Sequence, residues 1–142
     1  MLEKIKKQNG FTLIELMVVI VIIGILALYG LRIYLTQQEK AKNALVKANA
    51  STVHTHIQTE MVTRNISEIT EGIVDLLVDN AGIYNPYNNV RQTTSYYSSP
   101  DKSGNNIPGM IYVWKDNSNI FHINGWGIEG DDIFKDDLTA RK

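Results

Sequence analysis

The 142-residue chain contains no cysteine, which excludes disulfides and thiolate metal sites and leaves its stability to packing alone. It also lacks a charge excess of either sign: 14 Lys and Arg against 15 Asp and Glu give a net charge of −1, so nothing strongly basic asks for nucleic acid. The length suits one modest domain plus one special segment. From residue 11 to 31 there is no Lys, Arg or His, and only Thr12 and Glu15 are strongly polar. From residue 32 to 64 there is neither Pro nor Gly, so nothing local breaks a helix there.

The apolar run of about twenty residues is long enough, at about 1.5 Å per residue, to cross a hydrocarbon core of about 30 Å. Lys4, Lys6 and Lys7 precede it and Arg32 stands nearly alone behind it. The distribution predicts a cytoplasmic N-terminus with everything after Arg32 outside. The run is too long for an ordinary secretory signal, and Ala27-Leu28-Tyr29 is a poor cleavage site behind it. A carboxylate inside such a span costs about 2.5–3.5 kcal/mol and calls for a cationic partner. Glu15 has none within the run.

The stretch "GFTLIELMVVIVIIGILA", residues 10–27, resembles the processing site and hydrophobic helix of the type IV pilin and type II secretion pseudopilin family. The resemblance implies cleavage after Gly10 by a prepilin peptidase, N-methylation of the new N-terminal Phe11, and assembly through the apolar helix. Cleavage there would create the missing cation, since an amine at Phe11 and a carboxylate at Glu15 are i and i+4 neighbours. In a filament the resemblance implies that Glu15 pairs with Phe11 of an adjacent subunit. Displacing such a pair strands a buried ion at about 3–5 kcal/mol, so Glu15 would set register. Loss of residues 1–10 removes three Lys and one Glu and changes the net charge from −1 to −3. The sequence departs from the family in two places. Arg32 stands where many members have a kinking proline, and a C-terminal cysteine pair is missing. Any local unwinding is then expected between the weak points Gly24 and Gly30 rather than at Arg32.

The expected fold class is α+β and pilin-like: a long N-terminal helix packed on a small antiparallel sheet of about three strands. The expected organisation is a leader 1–10, a transmembrane and filament-core helix 11–31, the amphipathic second half of the same helix 32–64, a connecting region 65–108, and a sheet with tail 109–142. One helix from about 11 to 64 would be apolar all round at first, then one-sided through Ala41, Leu45, Ala48, Val53, Ile57 and Met61. A short helix is expected over 67–79 with Ile69, Ile73, Leu76 and Leu77, interrupted by Gly72 and stopped near Gly82. Residues 81–108, rich in Asn, Ser, Tyr and Gly, read as a long surface loop. Strands are expected at 110–114 and 120–123, with a break at 124–127 and a third apolar patch at 133–138.

Other chemistry is thin. His54 and His56 are two apart on a helix and cannot share a metal; His122 falls in a strand. Glu129, Asp131, Asp132, Asp136 and Asp137 cluster near the C-terminus, where the resemblance implies calcium in major pseudopilins, but no EF-hand spacing appears and no metal ligands are assigned. Tyr84, Tyr87, Tyr96, Tyr97 and Tyr112 read as packing of a small domain, as do Phe11, Tyr29 and Tyr34 of the helix. The N-x-S sequons at Asn49 and Asn65 read as chance. No nucleophile elbow or triad spacing is present, so no enzyme and no cofactor is expected. The expected partners are copies of the same chain in a helical filament, the prepilin peptidase and methyltransferase, the pilus assembly machinery, and membrane lipid before assembly. The expected location is a single-pass bacterial membrane protein that becomes an extracellular pilus. Two alternatives stand beside the type IV pilus subunit: a pseudopilin of type II secretion, and an uncleaved membrane-anchored binding domain.

Overall fold

The computed structural model describes residues 10–95, 107–128, 132–134 and 136–141. The element order is α1 (Leu13–Thr63), a 3-10 turn (Ile66–Glu68), α2 (Glu71–Ala81), then β1 (Ile111–Lys115), β2 (Phe121–Gly125) and β3 (Leu138–Ala140). The strands form one antiparallel sheet in the order β1-β2-β3, so the fold is α+β with a long N-terminal helix and a small sheet. The chain divides into two compact units, one ending at Gln38 and one beginning at Glu39.

In the first unit α1 carries no buried residue; Leu13, Val19, Leu28 and Leu35 are all exposed, as are the apolar residues between them. In the second unit α1 buries one stripe, Val46, Ala50, Val53, Ile57 and Met61, at steps of four, three, four and four. The expected face was partly wrong, for Ala41, Leu45 and Ala48 are exposed. At 3.6 residues per turn the five-residue step from Ala48 to Val53 advances about 140° beyond a full turn, so the expected set joined two faces.

The stripe meets Ile111, Val113, Phe121, Ile123 and Ala140 of the sheet and Val74, Leu77 and Val78 of α2 in one core. Gly125 lets sheet and helix pack closely: a Cβ there would lie 2.4 Å from Val46 Cγ1. Helix α2 starts at Glu71 rather than 67, because Ile69 and Thr70 are extended; Ile69 is buried but Leu76 is 58% exposed. Gly72 sits in the first turn and does not interrupt it. Gly82, at φ 60°, ends the helix in the left-handed region that glycine tolerates.

The reading of 81–108 as a surface loop is corrected for its described part. Tyr84 and Arg91 form an isolated bridge, and Ile83, Asn85, Gln92 and Ser95 are buried. Gln92 works as a substitute strand. Its Nε2 donates to the carbonyls of Ile111 (2.6 Å) and Thr94 (2.7 Å), and its Oε1 accepts from Ile111 N (2.9 Å). Ser95 accepts from Val113 N through its carbonyl and donates from N and Oγ to Asp75 of α2. Asn85 donates to Pro108 O (2.7 Å) and accepts from Tyr87 N, while Gly109, at φ 85°, leaves room for it: a Cβ there would lie 2.1 Å from Asn85 Oδ1. Tyr96 and Tyr97 lie outside the described residues.

The strand boundaries also shift. Asn124 and Gly125 belong to β2 instead of breaking it, and Trp126 continues into a bridge with Asp132. The third strand is Leu138–Ala140, while Ile133 and Phe134 pack half-buried on the core. On the sheet face opposite the core, Trp114 stacks on His122 (centroids 5.2 Å, 9°) and Tyr112 meets Trp126 edge-on.

Candidate assembly segment

The helix begins through a reciprocal cap. Thr12 is the residue before α1 and Glu15 its third residue, the T-x-x-E spacing of a capping box. Glu15 N donates to Thr12 Oγ1 (3.3 Å), while Glu15 Oε2 accepts from Thr12 N (2.8 Å) and Thr12 Oγ1 (2.8 Å). These contacts satisfy backbone donors that a helix start leaves unpaired. Thr12 is the residue the sequence reading passed over, and the T-x-x-E spacing was the signal that could have found it.

The same geometry bears on the Gly10–Phe11 bond. Residues 10–12 precede the helix, Gly10 is exposed and Phe11 is 91% exposed, so this peptide bond lies in open, non-helical chain. The Glu15 carboxylate is held against Thr12 N, one residue from the atom that cleavage would turn into an amine. Gly24 and Gly30, named as weak points, lie within unbroken helix, and a Cβ at either would meet open space. Arg32 follows, its backbone carbonyl accepting from Thr36 Oγ1. Helix α1 is long and apolar enough to cross a membrane by length and composition.

Elsewhere the candidate chemistry does not converge. His54 Nε2 bonds Thr139 O (3.0 Å) and His122 stands between Asp116 Oδ2 (3.4 Å) and Asp137 Oδ2 (3.6 Å), so the histidines serve separate local contacts. Asp116 caps its turn by accepting from Ser118 N and Ile120 N, and the Ile120 bond, aided by His122, holds its carboxyl below the usual range. Asp137 accepts from Asn124 Nδ2 (2.7 Å). Among the described residues no group of three acidic or histidine side chains could hold a metal; Glu129 and Asp131 lie outside them. Tyr87 bonds Asn43 of α1, and burial with the nearby Glu39 charge pushes its phenol up.

Residues 5–30 match the family described as the prokaryotic N-terminal methylation motif. The type II secretion system core protein G of Vibrio cholerae serotype O1 (strain ATCC 39315 / El Tor Inaba N16961) is 52% identical over 40 residues, 28% of this chain and 27% of that protein. The match therefore spans about a quarter of the relative's length. No solved structure matches the chain. Both matches support the pilin and pseudopilin family, the resemblance that residues 10–27 carried.

Proposed function

We propose that this chain is a type IV pilin-like subunit, cleaved after Gly10, N-methylated at Phe11, and polymerised into a helical filament through residues 11–31 with Glu15 setting register. The observation that carries the reading is the Glu15 carboxylate, held at the start of an exposed apolar segment, residues 11–31, that contains no other charged side chain, beside an accessible Gly10–Phe11 bond. Before assembly the helix would lie in a bacterial membrane with residues 1–10 cytoplasmic, since lipid is the other medium able to cover such a surface. After cleavage the Phe11 amine would meet Glu15, first within the chain and then across copies. Identical subunits packed head to tail without closure generate a filament. In this reading residues 32–64 continue the helix, 65–108 connect it to the sheet and 109–142 complete a head with a structural rather than enzymatic role. The peptidase, the methyltransferase and a membrane assembly machine are the implied partners.

A second reading, a pseudopilin of type II secretion, is favoured by the name of the Vibrio relative. Mass spectrometry of the N-terminal peptide separates the two. Methylated Phe11 at the terminus of sheared surface material is expected for a pilus subunit. The same end confined to membranes would favour the pseudopilin, and residues 1–10 still attached everywhere would overturn both in favour of an uncleaved anchored domain.

A further inference from the structure

Between residues 16 and 38 the only charged side chain is Arg32. Apolar exposed residues flank it on both sides, with Leu28 71% and Ile33 63% exposed, so any surface that covers this part of α1 also covers the guanidinium. One turn away in either direction stand Leu28, Tyr29, Leu35 and Thr36, none of them acidic, and no carboxylate pairs with Arg32 among the described residues. Burial of that cation without a partner would cost several kcal/mol. Two turns on, at i+7 and so on the same helix face, is Glu39, also exposed and without an ion pair among the described residues.

We propose that Arg32 of one copy pairs with Glu39 of a neighbouring copy, so that the helix face around Arg32 docks a second copy of this chain at a fixed axial offset. The proposal rests on the filament reading and adds a second register pair to it. Seven residues correspond to about 10 Å along a helix. The Phe11–Glu15 pair spans four residues, about 6 Å, in the same sense, with the cation N-terminal to the acid. One copy sliding in one direction therefore serves both pairs, and the difference of about three residues falls within the reach of an arginine side chain. Glu15 itself is 17 residues from Arg32, about 25 Å, which leaves Glu39 as the nearer acid on α1.

Charge exchange tests the pairing in the full chain, with filament yield and Phe11 processing both measured. Arg32→Glu and Glu39→Arg alone are each expected to lower filament yield at least about tenfold with processing unchanged, and the double exchange to recover most of it. Single variants that assemble like the parent, or a double variant no better than either, would overturn the pairing. The offset is read by a cysteine ladder, free of background because the chain has no native cysteine. In R32C/E39C the two sites are too far apart within one chain for a disulfide, so oxidation of assembled filaments should produce covalent multimers, whereas oxidation after the filaments are dispersed should not. Assembled R32C/E39C without a ladder overturns the offset. A parent chain that is never cleaved after Gly10 overturns the filament reading instead.

Discussion

At the residue scale Glu15 caps α1, the proposed function gives its charge a second role in assembly, and a glutamine divides the two. Glu15→Gln keeps the capping geometry, since Gln serves the same position, but removes the charge. It is expected to insert and be processed normally yet assemble poorly, as is Glu15→Leu; normal filaments from Glu15→Gln on electron microscopy would end the register role. At Gly125 the issue is space. Gly125→Ala places a methyl 2.4 Å from Val46 Cγ1 and 3.2 Å from Ile111 Cδ1, and is expected to destabilise by about 1–3 kcal/mol in denaturant unfolding, with Val46→Ala recovering part of the loss. Asp116 carries a pH signature. Its native pKa lies below its ordinary value, so its stabilising contribution is complete above that value and is lost as pH falls through the depressed one. Acid titration followed by circular dichroism should therefore show a shallower loss of stability in Asp116→Asn than in the parent.

At the scale of elements, Gln92 holds the outer edge of β1 with a side chain. Gln92→Leu leaves Ile111 N and O without these partners and is expected to cost about 1–3 kcal/mol for each buried group, read as a lower urea midpoint. None of this was legible in the sequence. Asn85, Gln92 and Ser95 sit in a run whose composition reads as solvated loop, and their burial depends on distant groups at Pro108, Ile111 and Asp75. Helix α1 was legible, because its apolar run and its freedom from proline act locally. The phase of its buried stripe was not, since Ala41, Leu45 and Ala48 form a second small-apolar face of equal periodicity and only the sheet decides between them. The third strand shifted for a related reason: Ile133 and Phe134 are apolar enough for a strand but pack beside the sheet, while Thr139 is polar and lies within it.

At the scale of the whole molecule the two units make opposite demands on their surroundings. Residues 11–38 expose an apolar surface, whereas the core of the second unit is built wholly from residues 46–140. Residues 39–142 alone are accordingly expected to be soluble, monomeric by light scattering, and to melt in one cooperative transition; aggregation at micromolar concentration would show that the head needs the first segment. The proposed assembly segment was the most legible part of the candidate site, since an acid in an uncharged apolar run is visible without a fold. The cap at Thr12 was legible in principle, and the docking proposed for Arg32 needed the absence, among the described residues, of an acid paired with it.

In a polymer, subunit heads would sit at effective concentrations far above those of free protein, where an open strand edge invites indiscriminate pairing. Here β1 is occupied by Gln92 and Ser95, and β3 has the Thr139 carbonyl taken by His54 of α1. Sheet edges engaged from within would give crowded neighbours little main chain to grip, so in the proposed filament the order of the array would be left to the helices.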